Sequence, residues 1–266
     1  KKMLKIIKFI LIISISLTSH VYCSQNNFDY WLKNFKIKAI NSGVSEEVVN
    51  DILLNAKFLP KVIEYDRYQP EFYENTFTYI KKRTSKKKVY DGLKLYKKEK
   101  NIIDKIENEY GVEKELLLAL MGIETNFGKY LGKMDIISSL ATLSFDLRRR
   151  DFFTNELITI LKLIDDDLID HKILYGSWAG AFGNFQFMPT TIRDYAVDYD
   201  KNQNVELKST KDSFASAANY LNAIGWKKNK PCFMPVKLNK NIPTKFLNSS
   251  AKKIHSQHKL SYFSKY

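Results

Sequence analysis

The sequence has 266 residues, enough for a sizeable hydrophobic core in one large domain or two small ones. Hydrophobic residues make up 44% and charged residues 27%, a composition that excludes a disordered chain. The net charge is +14, which favours polyanionic partners such as nucleic acid, anionic lipid or cell wall.

The N-terminus has the pattern of an export signal, which we assign to residues 1–23. Four lysines in the first eight residues precede an apolar run over 6–17, shorter than the roughly 20 residues that span a membrane. We expect cleavage after Cys23, which leaves a periplasmic protein with a net charge of +10. Lipid modification of Cys23, or an uncleaved segment, would instead attach the protein to the membrane, facing the periplasm. Export argues against nucleic acid as a partner.

The number and spacing of cysteines and histidines argue against a disulfide framework and against a zinc site. The only cysteines are Cys23 and Cys232, so no disulfide framework is expected within the mature chain. The four histidines are scattered, and no spacing of histidine or cysteine is typical of zinc.

Residues 24–108 predict an N-terminal helical region, because apolar residues recur at three- and four-residue intervals among the lysines. Loops are expected near 41–43 and 59–60. Between them, Ser45 followed by two glutamates has the pattern of a helix start.

Residues 109–230 predict a second helical region, and 231–266 a weakly patterned tail that is poorly ordered or half of a structural unit. No proline falls between Pro70 and Pro189, which favours helices over a many-turned β fold. The fold class predicted is therefore mainly α. Within the second region, helices are expected over 112–125, over 136–163 with a possible break near 148–151, and over 213–224.

Glu124 is the candidate general acid. It is the first charge after the apolar run 116–123, near the C-terminus of the predicted helix. We expect the helix to be buried on all sides, and burial and the negative end of the helix dipole both raise the pKa of a carboxyl group. The alternatives are pairing with an arginine of 148–150 and simple exposure to solvent.

A glycine-rich segment over 176–189 is the second candidate feature. Three of the ten glycines fall within 176–183, and Ser177 and Gln186 add neutral hydrogen-bonding groups beside aromatic residues. Glycines let a backbone approach a ligand, and neutral polar groups beside aromatics suit a sugar polymer better than a phosphate. A turn-rich connector is the alternative.

At these residues the sequence resembles the membrane-bound lytic murein transglycosylase B family. The ordered matches cover roughly 60–228, and their number makes the resemblance specific. They include Asp66–Phe72, Gly122–Gly128, Ala141–Phe145, Gly176–Gly183, Gln186–Pro189, Tyr195–Asp198 and Ala218–Tyr220.

The resemblance implies a lysozyme-like helical catalytic core that cuts peptidoglycan glycan strands without water, as a monomer in our expectation. Glu124 matches the catalytic acid, which acts alone because the substrate's own 6-hydroxyl is the nucleophile. By the same resemblance, Tyr79, Ser177, Gln186 and Tyr220 would contact saccharide, and Arg149 and Arg150 would meet the peptide stem. No cofactor is required for this chemistry.

The loop 198–212 predicts a calcium site or an Asx-rich turn. The spacing of the oxygen side chains matches the first ligand positions of an EF-hand: Asp198, Asp200, Asn202 and Asn204. However, Gln203 replaces the glycine of the turn, and Ser209 stands where an EF-hand needs a carboxylate. The resemblance implies a longer loop closed by Asp212, which would complete a structural calcium site. In the alternative, Asp212 caps the following helix.

The sequence of the C-terminal tail does not decide whether the chain is an active enzyme. Nothing in 231–266 clearly matches the family, so the chain resembles a C-terminally shortened member. Three hypotheses follow: an active lytic transglycosylase, which we favour, an impaired remnant that binds peptidoglycan, and a basic structural protein with a similar core.

Overall fold

The computed structural model describes residues 27–69, 75–230, 237, 239–246 and 258–264. Within these ranges the chain is mainly helical, which confirms the predicted fold class. The predicted export signal with Cys23, and Cys232 in the tail, lie outside the described residues. No helix in the described ranges has the length and apolar character needed to cross a membrane.

The chain divides into two compact units, one up to Lys228 and one from Asn229. The first contains a pair of two-residue antiparallel strands, β1 (Met134–Asp135) and β2 (Tyr175–Gly176). Its helices are α1 (27–41), α2 (Glu46–Ile52), α3 (Pro60–Arg67), α4 (Thr76–Arg83), α5 (Lys86–Tyr110), α6 (Lys114–Thr125), α7 (Ile136–Phe145), α8 (Arg150–Asp165), α9 (Pro189–Tyr195) and α10 (Thr210–Ala223).

Several helix boundaries follow local sequence signals. The Ser45 hydroxyl caps α2 by accepting from the Val48 N–H, as its sequence predicts. Gly111 ends α5 with a φ of 66°, a left-handed conformation that glycine adopts without strain. The break expected near 148–151 separates α7 from α8, and the chain between them holds no helix.

Helix α7 is the centre of the first unit, because every residue from Ile136 to Ser144 is buried. Two of its buried polar side chains bind the segment that leads into α3. The Ser138 hydroxyl accepts from the Lys57 N–H at 3.0 Å, and the Thr142 hydroxyl accepts from the Leu59 N–H at 2.9 Å. These bonds join the N-terminal helices to the core.

The second unit is small. Its described residues form short 3₁₀ turns at Thr244–Phe246 and Leu260–Phe263. The His258 and Tyr262 rings stack with their centroids 4.1 Å apart. Much of the tail over 231–266, including 231–236 and 247–257, lies outside the described residues.

Candidate active site

Helix α6 presents one face to the core and carries Glu124 near its end. Leu117, Met121 and Thr125 recur every four residues and are buried. Ala119 and Ile123 are exposed, so the expectation that this helix is buried on all sides is wrong. Its described helical neighbours, α5 and α10, cover only part of its surface, which the apolar composition of α6 does not reveal.

A strained turn fixes the point at which α6 stops. Asn126 and Phe127 follow Glu124 closely and have φ values of 50° and 60°, a region that a phenylalanine seldom adopts. The Phe127 ring packs into the space left by two glycines. A β-carbon added at Gly92 or Gly122 would lie 3.0 or 2.8 Å from that ring. The packing therefore holds the turn in place.

Thr125 joins the end of α6 to the glycine-rich segment and, through it, to α10. Its hydroxyl donates to the Asn184 carbonyl at 2.8 Å and accepts from the Gly128 N–H at 3.0 Å. The buried Asn184 amide in turn donates to the Lys208 carbonyl and the Ser213 hydroxyl, both at 3.0 Å. These bonds fix three elements of the site relative to one another.

The glycines of this segment serve packing within the protein. A β-carbon at Gly176 would lie 2.2 Å from the Ala181 carbonyl oxygen. At Gly180, whose φ is 89°, it would lie 2.4 Å from the Leu140 side chain. Protein atoms fill the space that the sequence interpretation reserved for a ligand.

These contacts leave a pocket of about 250 Å³ at the end of α6. Three predicted site residues, Glu124, Gln186 and Tyr220, line it together. Glu124 is the only acidic residue among the described residues that line the pocket. The other lining residues are apolar or small: Leu120, Phe185, Phe187, Met188, Thr191, Ala217 and Leu221.

The Glu124 carboxyl has no hydrogen-bond or ion-pair partner among the described residues. Its side chain reaches solvent, as one alternative proposed, but the pocket walls remove part of its hydration shell. This burial raises the pKa of Glu124 above its ordinary value. The second alternative, pairing with an arginine of 148–150, does not occur, since those arginines bond elsewhere.

Gln186 and Tyr220 offer polar atoms beside this carboxyl. The Gln186 Nε2 donates to the carbonyls of Leu131 (3.3 Å) and Gly183 (3.0 Å), which orients the amide. Its Oε1, like the Tyr220 hydroxyl, has no partner among the described residues. The Tyr220 ring packs edge-on against Tyr195 with centroids 5.2 Å apart. Both side chains are therefore positioned while keeping a polar atom available.

Tyr79 and Ser177 do not line this pocket. Tyr79 lies on α4, and the Arg83 guanidinium stacks 3.8 Å from its ring centroid. The Ser177 hydroxyl accepts from the N–H groups of Ala179 (3.3 Å) and Ala181 (3.0 Å), and so stabilises a turn of the glycine-rich segment. Their contact with saccharide stays a prediction.

Arg149 and Arg150 also lie outside the pocket, at the corner between α7 and α8. Arg150 donates to the carbonyls of Ser144 (3.2 Å) and Phe145 (2.6 Å), which closes the C-terminus of α7. Arg149 pairs with Asp66 on α3. Their predicted contact with a peptide stem is untested by this geometry.

Asp66 is the centre of an ion-pair cluster that our sequence interpretation missed. Its side chain is 1% exposed and accepts from Arg148 at 2.6 Å and from Arg149, while Arg67 bridges to Asp146 at 2.8 Å. Burial disfavours the charged form, but the two arginines outweigh it and hold the pKa of Asp66 below its ordinary value. The run of three arginines at 148–150 is the sequence signal that could have indicated a buried acidic partner.

The loop 198–212 brings three carboxylates together, with oxygens of Asp198, Asp200 and Asp212 within 4.8 Å of one another. Asp212 is buried and accepts from the N–H groups of Tyr199 (2.9 Å) and Glu206 (2.8 Å). The alternative that Asp212 caps α10 is wrong, because the Ser209 hydroxyl caps it instead.

The side-chain oxygens of this loop are of the kind that binds calcium. Asp198 accepts from the N–H groups of Asn202 (3.1 Å) and Gln203 (2.8 Å), and Lys211 pairs with Asp200 at 3.1 Å. Gln203, at the turn position where an EF-hand has glycine, has a φ of 71°. Three carboxylates and amide oxygens are the hard donors that calcium prefers, although an ammonium group already competes for one of them.

Comparison with known proteins places these features in a family. A family model described as a transglycosylase SLT domain matches residues 27–263. This range is wider than the roughly 60–228 covered by the motifs, and it extends into 231–266, where the sequence interpretation found no clear match. The chain is also 37% identical over 151 residues to the membrane-bound lytic murein transglycosylase B of Escherichia coli K12, covering 56% of this chain and 42% of that protein.

Solved structures agree with the predicted lysozyme-like architecture. SltB3 from Pseudomonas aeruginosa, solved with a NAG-NAM-pentapeptide, matches with a TM-score of 0.75 and 31% identity, covering 80% of this chain and 58% of that one. The Escherichia coli lytic transglycosylase Slt35, solved in complex with calcium, matches with a TM-score of 0.68 and 33% identity, covering 75% of this chain and 64% of that one. The chain thus spans less than two thirds of these relatives.

Proposed function

This chain belongs to the transglycosylase SLT domain family, and on that premise we propose that it is a lytic transglycosylase of peptidoglycan. It would cleave the β-1,4 bond between MurNAc and GlcNAc and leave a 1,6-anhydro-MurNAc end. The observation that carries the proposal is a single carboxyl, Glu124, with a raised pKa in a pocket that also presents Gln186 and Tyr220.

A single acid suffices for this reaction. Ordinary glycosidases need two carboxyl groups, one as acid and one as nucleophile or base. Here the protonated Glu124 donates its proton to the glycosidic oxygen as the bond from that oxygen to the MurNAc anomeric carbon breaks. The MurNAc 6-hydroxyl oxygen then bonds to that carbon, and its proton passes to the Glu124 carboxylate. The acid is restored, and no water is consumed.

The raised pKa of Glu124 supports its role in the first step. A general acid must hold its proton at the working pH, and partial burial without a cationic partner favours the protonated form. Because Asp66 binds Arg148 and Arg149, those guanidinium groups do not stabilise the Glu124 carboxylate.

Substrate positioning falls to the neutral groups around the acid. We propose that the Gln186 Oε1 and the Tyr220 hydroxyl bond to saccharide hydroxyl or acetamido groups, and that Ser177 and Tyr79 extend the contact along the strand. Arg149 keeps a side chain that is 38% exposed and is our choice for the peptide-stem carboxylate. Arg150 donates to two main-chain carbonyls, so we assign it the structural role of holding the corner between α7 and α8.

The proposed location is the periplasm, where glycan strands are the partner. In the loop 198–212, Asp198, Asp200 and Asp212 would hold a calcium ion with Asn202 and Asn204. Calcium would neutralise the negative charge of this loop. The buried Asp212 ties the loop to the first turn of α10 by accepting from the N–H groups of Tyr199 and Glu206, and Tyr220 lies further along the same helix.

The decisive experiment is product identification. Purified protein is incubated with peptidoglycan sacculi, and the released fragments are analysed by mass spectrometry. Anhydro-muropeptides, lighter by one water than hydrolysis products, are expected. Hydrolysis products would overturn the lytic mechanism, and binding to sacculi without any product would identify the chain as a binding remnant.

A further inference from the structure

One face of helix α5 carries apolar side chains where a solvent-facing helix ordinarily carries polar ones. Val89, Tyr90 and Leu93 lie at helical spacing between Lys86 and Lys97, so the five side chains share one face. The three apolar members are exposed, Val89 to 59% and Leu93 to 55%. An amphipathic helix that meets only water would not place them there.

Helix α6 adds to this face and forms a groove with α5. Val89 and Leu93 line one side, Ala119 and Ile123 line the other, and the Phe127 ring lies between the two helices. The groove has a volume of about 270 Å³. We call it the apolar groove; it runs along the side of α6 that turns away from the core.

Helix α4 extends the same surface. Phe77, Ile80 and Arg83 recur every three residues and so lie on one side of α4, and Arg83 lines the apolar groove. Phe77 and Ile80 are both exposed, Phe77 to 75%. Large exposed apolar side chains clustered in this way mark a surface that meets a partner.

Positive charge predominates around this surface, although Glu115 on α6 also lines the apolar groove. Residues 77–98 contain nine lysines and arginines and a single acid, Asp91. That acid is paired with Lys87 at 3.3 Å and Lys129 at 2.8 Å, so it contributes little negative potential. A partner that accepts the apolar side chains must therefore also be anionic.

We infer that α4, the N-terminal half of α5 and the apolar groove form a surface that seats on an anionic phospholipid bilayer. Apolar side chains enter the boundary between headgroups and acyl chains, while flanking lysines meet the phosphates. A second copy of the chain would bring the same positive charge, and the two copies would repel each other. Glu124 lines its own pocket on a different side of α6, so the acid stays open to substrate.

Vesicle binding of the full chain tests this surface. Vesicles of phosphatidylcholine alone are compared with vesicles that also contain phosphatidylglycerol. The double variant Val89→Ser/Leu93→Ser should bind the anionic vesicles about tenfold more weakly than the parent, because two apolar side chains no longer leave water. The matched control Leu54→Ser/Leu147→Ser removes two exposed leucines elsewhere and should bind like the parent. Equal binding by both double variants overturns the inference.

A local readout separates this surface from the N-terminal segment. Because the chain already has three tryptophans, quenching is read as the difference from the parent. Brominated anionic lipid should quench Leu93→Trp more than the parent, whereas it should quench Leu54→Trp no more than the parent. No quenching at position 93 overturns the inference even if the chain binds vesicles. An indole at 93 that is shielded from iodide before vesicles are added also overturns it, because protein would then already cover the groove.

Discussion

Partial loss of hydration acts on both Glu124 and Asp66, yet the protein shifts their pKa values in opposite directions. Asp66, at the end of α3, is buried among arginines, and its pKa falls. Glu124, at the end of α6, reaches solvent but has no described partner, and its pKa rises. Burial alone acts the same way on both groups, so the arginines decide the sign.

The difference shows how the chain raises the pKa of one carboxyl despite its large positive charge. A basic protein would ordinarily stabilise any carboxylate. Here Arg148 and Arg149 are taken up by Asp66, and Arg150 by main-chain carbonyls. The arginines of the α7–α8 corner therefore lie apart from the pocket that holds Glu124, and none of them lines it.

Removing the pocket carboxyl should have the largest effect. Glu124→Gln keeps the shape of the side chain but cannot donate a proton, so release of anhydro-muropeptides should fall by about 10²–10⁴-fold. Sacculus binding and the melting curve should stay as in the parent. Glu115→Gln on the same helix is the matched control. If Glu124→Gln retained half of the parent rate, Glu124 would not be the acid.

Removing the buried carboxyl should instead damage the fold. Asp66→Asn leaves Arg148 and Arg149 without their anion, and we expect a loss of about 3 kcal/mol in the free energy of unfolding. The expected loss is at the low end for a buried pair because both guanidinium groups keep access to water. Urea unfolding measures it, with the exposed Asp151→Asn as control. A loss no larger than that of the control would contradict a structural role for the cluster.

The sequence predicted what depends on local signals. The helix start at Ser45 and the break between α7 and α8 both follow from residues within one or two turns. Motif order predicted the family, and with it the residues Glu124, Gln186 and Tyr220 that meet in one pocket.

What the sequence did not predict depends on long-range partners. The bond from Thr125 to Asn184 joins residues 59 positions apart, and Asp66 binds arginines 82 and 83 positions away. Neither pairing leaves a local pattern. The apolar run of α6 likewise does not reveal that Ile123 stays exposed, because burial depends on which neighbours cover a helix.

The pH dependence should separate the two carboxyls. The rate should fall as pH rises through the raised pKa of Glu124, by about tenfold per unit once most of the acid is ionised. For stability, Glu124 contributes at low pH and loses that contribution as pH rises through its folded pKa. Asp66 contributes above its unfolded pKa and loses it as pH falls through its lowered pKa.

Rate profiles and urea unfolding at several pH values, with Glu124→Gln and Asp66→Asn beside the parent, measure both signs. Stability differences that move in the same direction with pH for the two variants would contradict the comparison.

Calcium should have the smallest effect, because the buried carboxyl of Asp212 already accepts from two N–H groups. We expect calcium to raise the melting temperature of EDTA-treated protein by about 2–4 °C, which corresponds to roughly 1 kcal/mol in a chain of this size. Asp198→Ala should abolish the shift by removing a ligand near the surface. Lys211→Gln should enlarge it, since the ammonium group that pairs with Asp200 is gone. Melting curves unchanged by calcium in both the parent and Lys211→Gln would show that backbone hydrogen bonds alone hold this loop.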